Sequence, residues 1–186
     1  MAEKSMTEKK RRKILFIGNS HTYYHDLPAK VARMAGEDGF ECDVAMLAHG
    51  GWYLHQHVKE PDVRFNIRYG EYDYVVLQEH SHPFDHIPEY REAAATLAGW
   101  IREAGSIPVI YGTWARKEDE TAQEYMNLVN RKLAEDLDAL YAAVGEAWWA
   151  YKASRPDIEM YEEDGRHASE QAMEFVAKII WTAIRQ

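Results

Sequence analysis

Three side chains near the two ends of the chain have the types that nucleophilic catalysis requires. Ser20 follows a short apolar segment, and Asp164 and His167 stand three residues apart just before a C-terminal helical pattern. A serine hydroxyl becomes a strong nucleophile when a histidine takes its proton, and a carboxylate can fix the tautomer of that histidine. We therefore expect Ser20 to be a nucleophile, His167 its base and Asp164 the residue that orients the base.

Each of these segments also has a plain structural interpretation. Asn19, Ser20 and Thr22 are residue types that form turns and cap helices. Asp164 and the glycine after it could simply form a turn that leaves His167 at the surface. A protein that only binds a ligand could use the same cleft, but it has no need of all three residues in register. Their joint presence favours catalysis.

The elements that must position these residues alternate between apolar strands and amphipathic helices. The predicted strands are residues 13–18, 42–47, 72–78 and 107–111, with a weaker fifth at 140–144. Apolar residues recur at helical spacing in 94–101, 126–140 and 172–184, and Ser169 can cap the last of these helices. This alternation predicts a parallel sheet of about five strands with helices on both faces. Ligands bind such sheets at the carboxyl ends of the strands, where Ser20 follows the first one.

Length and composition indicate one domain and argue against several classes of function. The chain has 186 residues and 46% hydrophobic content, from which we expect a flexible leader at 1–12 and a single domain at 13–186. A net charge of -9 argues against a nucleic-acid groove. The single cysteine, Cys42, cannot form an intramolecular disulfide, and its apolar surroundings predict a buried thiol. We found no apolar run typical of a signal peptide or membrane span and expect a cytoplasmic protein whose partner is a small molecule.

Three blocks of sequence, in order, resemble the SGNH (GDSL-like) hydrolase superfamily. FIGNSHT contains Ser20, GGWYL contains Gly50 and Gly51, and the third block contains Asp164 and His167. The GNS and VVLQE segments are similar to an uncharacterised subgroup. The resemblance implies a three-layer α/β/α sandwich of flavodoxin-like type. It also implies cleavage of an ester through an acyl-serine intermediate, without a cofactor.

The same resemblance implies an oxyanion hole, the set of N–H donors that stabilises the charged tetrahedral intermediate. The expected donors are the backbone N–H of Ser20 and that of Gly51 or Gly50. The superfamily usually adds an asparagine after the third strand, but that position range holds Gln78 and no asparagine. We expect the Gln78 carboxamide to substitute. Asn19 replaces the usual aspartate before the serine, and we expect it to hold the turn.

Residues after other strands are expected to contact the substrate. Our predicted substrate-binding residues are Gly50, Trp52, His80 and Trp114. Aromatic rings at a cleft can stack on sugars, which suggests small acyl groups such as acetate on a carbohydrate. Two further tryptophans, Trp148 and Trp149, stand in a helical segment and are expected to pack in the core.

The histidines of the irregular segments 49–69 and 79–88 offer an alternative. Two pairs, His55 with His57 and His80 with His82, could each supply two metal ligands, and Glu79 or Asp85 a carboxylate. Such a site would suit a metal-dependent hydrolase. Against it, histidines two apart on extended chain point to opposite faces, and no HExxH helix is present. We therefore expect no metal and place these histidines beside the cleft.

Overall fold

The computed structural model describes residues 10–186 and contains one parallel sheet of five strands. The strands are β1 (Lys10–Gly18), β2 (Phe40–Ala48), β3 (Tyr74–Gln78), β4 (Ile107–Tyr111) and β5 (Leu140–Ala142). Their order across the sheet is β2-β1-β3-β4-β5. This is the flavodoxin-like order, in which the strand order reverses between β1 and β3 and leaves a crevice at their carboxyl ends. The predicted α/β fold class is confirmed.

Helices cover both faces of the sheet. They are α1 (Ser20–Tyr23), α2 (Leu27–Glu37), α3 (Leu54–His57), α4 (Pro61–Tyr69), α5 (Ile87–Glu103), α6 (Ala122–Asp136), α7 (Val144–Ser154) and α8 (Glu170–Ile184). The predicted cap of the last helix is confirmed, because Ser169 Oγ accepts a hydrogen bond of 3.1 Å from the N–H of Ala172.

The central strands are buried on both faces, and alternate side chains enter two separate cores. Ile14 and Phe16 of β1 face the core shared with α2, α7 and α8, whereas Leu15 and Ile17 face the core shared with α3, α4, α5 and α6. All four side chains are fully buried. A continuous apolar run, in which successive side chains point to opposite faces, is typical of a parallel strand that is covered on both sides.

Several predicted boundaries differ from the structure. The strand β1 begins at Lys10, so residues 10–12 of the expected leader belong to the sheet, where Arg11 pairs with Asp43 of β2 at 2.5 Å. The rest of that leader, residues 1–9, lies outside the described residues. The segment 49–69 is not irregular throughout, because it contains α3 and α4. Pro61 begins α4, a position where a proline loses no hydrogen bond.

Cys42 lies on the edge strand β2, where only one neighbouring strand covers the backbone. The thiol is therefore half-buried rather than fully buried, and burial raises its pKa to about 11. Such a thiol stays protonated and unreactive at neutral pH. In the described part of the chain, no helix has both the length and the apolar character needed to cross a membrane.

Candidate active site

The turn after β1 presents Ser20 at the carboxyl end of the sheet. Asn19 caps the following helix α1, since its Oδ1 accepts from the N–H of His21 at 3.1 Å. Its Nδ2 donates to the carbonyl of Trp52 at 2.9 Å, which joins this turn to the glycine loop after β2. Gly18 must be a glycine, because a Cβ there would lie 2.5 Å from Gln78 Oε1. These contacts agree with the turn-holding role expected for Asn19.

The loop before α8 is fixed by its own hydrogen bonds. Asp164 Oδ1 accepts from the backbone N–H groups of Arg166 at 2.8 Å and His167 at 3.0 Å. From outside the loop, the indole N–H of Trp114 donates to the carbonyl of Arg166 at 2.8 Å. Gly165, between Asp164 and Arg166, has a φ of +65°, a conformation that favours glycine. The loop therefore holds the Asp164 carboxylate and the His167 ring in a fixed relation.

The structure brings Ser20, Asp164 and His167 together, although 147 positions separate the serine from the histidine. His167 Nδ1 lies 2.5 Å from Asp164 Oδ2, and His167 Nε2 lies 2.7 Å from Ser20 Oγ. A carboxylate can only accept, so Nδ1 carries the hydrogen and Nε2 accepts from the serine hydroxyl. This is the tautomer that a general base for Ser20 requires. The catalytic roles of the three residues remain a prediction.

The Asp164 carboxylate is stabilised in its charged form. Burial favours the neutral acid, but hydrogen bonds from the N–H of Arg166, then from the His167 side chain and backbone, outweigh it and lower the pKa to about 2. The side chain of Asp164 is therefore negative at neutral pH and faces the Nδ1 hydrogen of His167.

Two aromatic neighbours of His167 were not predicted from the sequence. Tyr24 stacks on the His167 ring with centroids 4.0 Å apart. His21 lies 4.9 Å from the same ring, and burial, followed by the neighbouring histidines, lowers its pKa well below the ordinary value. Tyr24 stands four positions after Ser20, a spacing that places it beside the serine. No sequence pattern, however, indicates that it meets His167.

Backbone N–H donors are available where an oxyanion would form. Within residues 10–186, the N–H groups of Ser20, Gly50 and Gly51 take part in no hydrogen bond. Gly50 and Gly51 are exposed, and Gly51 has a φ of +72°. The carbonyl of the next residue, Trp52, is bonded to Asn19. The expectation that Ser20 and Gly51 supply donors is compatible with this arrangement and remains a prediction.

The expected oxyanion role of Gln78 is wrong, because its side chain is fully buried and bonded within the protein. Gln78 Oε1 accepts from the N–H of Asn19 at 2.8 Å and from Thr22 Oγ1 at 2.9 Å. Its Nε2 donates to the carbonyl of Glu79. Gln78 is the last residue of β3, the neighbour of β1 in the sheet, and its side chain faces the turn that follows β1. Gln78 thus positions the nucleophile turn.

Trp114 does not contact substrate as expected, because its side chain is fully buried. It stacks on Trp148 with ring centroids 4.2 Å apart, which confirms the core position expected for Trp148. Its position after a strand suggested an exposed ring, but burial of two stacked indole rings is more favourable in free energy. Trp114 supports the loop of His167 instead, through its hydrogen bond to Arg166.

The remaining predicted substrate-binding residues lie on loops near the carboxyl end of the sheet. Trp52 is half-buried and packs on His49 with centroids 4.1 Å apart. His80 is half-buried, stacks on Tyr53 at 4.2 Å and donates from Nδ1 to the carbonyl of Pro83 at 2.9 Å. Both therefore remain candidates for contact with a ligand.

The histidines considered as metal ligands each make separate contacts within the protein. His57 bonds through Nε2 to the carbonyl of Gly18 at 2.8 Å, and His55 stacks on Tyr53. Burial is the main cause that lowers the pKa of His57 to about 4 and that of His82 to about 3. Across residues 10–186, no three histidine, cysteine, aspartate or glutamate side chains are grouped so that they could hold a metal ion.

Glu79 joins two loops beneath the site. Its carboxylate accepts from the N–H of Leu54 at 3.2 Å and from its neighbour His80 at 2.7 Å. The side chain is only 3% exposed, and burial raises its pKa to about 8 despite these two hydrogen bonds. Glu79 therefore links the glycine loop to the loop after β3, and it is largely neutral at pH 7.

Comparison with known proteins identifies the fold family. No model of a known family and no curated protein sequence matches the chain. A protein from Slackia heliotrinireducens, described as a candidate SGNH hydrolase, superposes with a TM-score of 0.80 and 26% identity, over 94% of this chain and 100% of that one. A lipase/acylhydrolase from Enterococcus faecalis superposes with a TM-score of 0.74 and 18% identity, over 94% and 95% of the two chains. An acetyl xylan esterase gives 0.75 and 16%, over 92% and 99%. The chain therefore has the fold of the SGNH hydrolases, and the proteins that it resembles in structure are ester-acting hydrolases of that group.

Proposed function

We propose that this protein hydrolyses carboxylic esters through an acyl intermediate on Ser20. The observation that supports this most strongly is the pair of hydrogen bonds at His167. One joins its Nε2 to Ser20 Oγ at 2.7 Å, and the other joins its Nδ1 to Asp164 Oδ2 at 2.5 Å. A histidine held between a serine and a carboxylate in this tautomer can act as a general base.

In the acylation step, Ser20 Oγ attacks the ester carbonyl carbon while its proton passes to His167 Nε2. Asp164 stabilises the resulting imidazolium, because its carboxylate is already charged at neutral pH. The negative charge that develops on the carbonyl oxygen is stabilised by the free N–H groups of Ser20 and Gly51. The tetrahedral intermediate then collapses, and His167 returns the proton to the departing alcohol.

In the deacylation step, a water molecule takes the place of the alcohol. His167 accepts a proton from this water as it attacks the acyl carbon, and the same N–H donors stabilise the second oxyanion. Ser20 leaves with the proton from His167, and the free carboxylic acid departs. The residues end in their starting protonation states, so the cycle can repeat.

For the substrate, we propose small acyl groups such as acetate carried by a carbohydrate. Similarity to an acetyl xylan esterase supports this class at the level of the fold. Trp52, half-buried on the glycine loop, offers a ring that a sugar could stack on. A cytoplasmic location belongs to the same proposal and is tested by fractionation of cells that express the protein.

Hydrolysis of 4-nitrophenyl acetate and of acetylated xylo-oligosaccharides tests this function. We expect the wild-type protein and a Ser154→Ala control to be active, since Ser154 is an exposed serine that bonds only to the carbonyl of Tyr151. Ser20→Ala and His167→Ala should each lose at least a thousand-fold in kcat. Full activity in a folded Ser20→Ala protein would contradict the mechanism, and activity lost only on treatment with a chelator would favour the metal-dependent alternative.

A further inference from the structure

A cavity of about 390 Å³ opens between the loop after β3 and the segment that leads into α6. Ser81, His82 and Phe84 form one side, and Arg116 and Tyr125 stand on the other. A volume in this range suits a small ligand or one part of a larger one. No residue of the proposed mechanism lines this cavity.

The cavity adjoins the Ser20 site through a row of aromatic rings. The ring of His82, in the cavity wall, lies 5.2 Å from that of His21. The ring of His21 lies 4.9 Å from that of His167, the proposed base. On the other side of the cavity, Arg116 follows two residues after Trp114, whose indole bonds to the loop of His167. The rings of His82 and His21 therefore connect the wall of the cavity with His167.

The electrostatic environment of the cavity next to His82 is positive. After burial, the charge of Arg116 is the largest cause that lowers the pKa of His82 to about 3, and Arg166 acts in the same direction. Within the described chain, neither guanidinium forms an ion pair or donates a side-chain hydrogen bond. Because no carboxylate of the described residues pairs with them, these two guanidiniums are available for an external anion.

The other lining residues define the remainder of the ligand. Asp119 is the one carboxylate of the lining, and its Oδ1 accepts from Thr121 Oγ1 at 2.8 Å and from the N–H of Ala122 at 3.3 Å. Its negative charge offsets part of that of Arg116, although these bonds turn it toward the start of α6. Phe84 and Tyr125 present aromatic rings 6.3 Å apart, which suit the apolar part of a ligand.

We propose that this cavity binds a negatively charged group of the substrate, held by the Arg116 guanidinium with support from Arg166. The substrate would then be an ester that carries a carboxylate, or an anion of similar shape, on its acyl or its alcohol part. Guanidinium groups bind carboxylates through two parallel hydrogen bonds, which gives orientation as well as attraction. This inference rests on the proposed ester hydrolysis at Ser20 and names its substrate class.

Paired substrates that differ only in charge test the proposal. 4-Acetoxybenzoate and neutral 4-acetoxybenzamide place the difference on the alcohol part, whereas mono-4-nitrophenyl adipate and neutral 4-nitrophenyl 5-carbamoylpentanoate place it on the acyl part. We expect the anionic member of one pair to have a kcat/KM about ten-fold above that of its neutral partner. The pair that shows the preference identifies the part of the substrate that enters the cavity.

Variants assign the preference to Arg116. Arg116→Gln should reduce kcat/KM for the preferred anionic ester about ten-fold and change that for the neutral ester less than two-fold. Arg64→Gln is the matched control, since Arg64 is an exposed guanidinium of α4 that lies over the Trp100 ring. It causes the same change in net charge away from the cavity. Asp119→Asn should raise the preference for the anion, because it removes the opposing charge.

Binding of benzoate and benzamide to Ser20→Ala separates this proposal from the proposed function. Calorimetry should show benzoate binding at least five-fold more tightly than benzamide, with the difference lost in the Ser20→Ala/Arg116→Gln double variant. Equal binding of both probes, together with equal use of charged and neutral esters, would overturn the anion site while leaving the esterase function intact. Selective benzoate binding in a protein that cleaves no ester would support the site and refute the function.

Discussion

The ring of Tyr24 lies parallel to the ring of His167, with centroids 4.0 Å apart and planes inclined by 6°. An aromatic face attracts a cation, so in the proposed mechanism this stack would stabilise the imidazolium form of His167 in the transition state. It also restricts rotation of the histidine ring about its Cβ–Cγ bond. Tyr24 is thus a positioning residue for the proposed base.

Replacement of Tyr24 tests this role. Tyr24→Leu removes the π face, and we expect kcat for 4-nitrophenyl acetate to fall about five- to thirty-fold while KM changes little, because the imidazolium forms only after substrate has bound. Tyr24→Phe keeps the ring and should keep most of the activity. Equal losses in the two variants would instead assign the effect to the tyrosine hydroxyl.

Gln78 is expected to matter for both stability and catalysis. Gln78→Met has a similar shape but cannot accept from the N–H of Asn19, so it leaves a buried donor unpaired and should cost about 1–3 kcal/mol in the free energy of unfolding. The loosened turn should also lower kcat. A donor to the oxyanion alone would behave differently, since its loss would reduce kcat without a change in urea denaturation.

The orientation of His167 is expected to depend on the charge of Asp164. In Asp164→Asn, the amide can offer a hydrogen to Nδ1 and so favour the tautomer that cannot accept from Ser20. We expect kcat to fall about 10⁴-fold without loss of fold. Asp157→Asn is the control, because Asp157 is exposed and pairs with Arg155 at 2.8 Å. Comparable activity in the two variants would contradict the assigned role of Asp164.

Glu79 predicts how stability changes with pH. Its pKa is about 8 in the folded protein against an ordinary value of 4.5, so the contribution of the neutral acid is complete below pH 4.5. As the pH rises from 4.5 to 8, the unfolded chain ionises while the folded chain resists, and the free energy of unfolding falls by an amount on the order of 4 kcal/mol. Urea denaturation at several pH values should show this fall in the wild type and a flatter profile in Glu79→Gln. Parallel profiles would show that Glu79 ionises normally in the folded state.

The fold class and the candidate residues Ser20, Asp164 and His167 could be predicted from the sequence because both depend on local patterns. Apolar strands that alternate with amphipathic helices identify a parallel sheet, and a serine directly after the first strand must lie at the carboxyl edge of that sheet. Asp164 and His167 meet through a loop of four residues, a short-range relation that spacing can express. The distance from His167 to Ser20 follows from the fold once both segments are placed at that edge.

The errors concern the direction of side chains at the ends of strands. Gln78 and Trp114 both stand near the carboxyl edge, but Gln78 faces the β1 turn and Trp114 enters the core against Trp148. Sequence position alone does not distinguish a side chain that faces a cleft from one that packs beneath it. The stack of Tyr24 on His167 could not be predicted either, because that contact joins two segments that are far apart in the chain.

The most direct test of the central claim is the mass of the intact protein after reaction with a fluorophosphonate, which labels serines that are activated as nucleophiles. The proposed mechanism predicts one adduct, located at Ser20 by peptide mapping, that forms in the wild type and in Ser154→Ala. It also predicts that the adduct is absent from Ser20→Ala and forms far more slowly in His167→Ala. A folded wild-type protein that remains unlabelled, or an adduct at another serine that persists in Ser20→Ala, would contradict the assignment of Ser20 as the nucleophile.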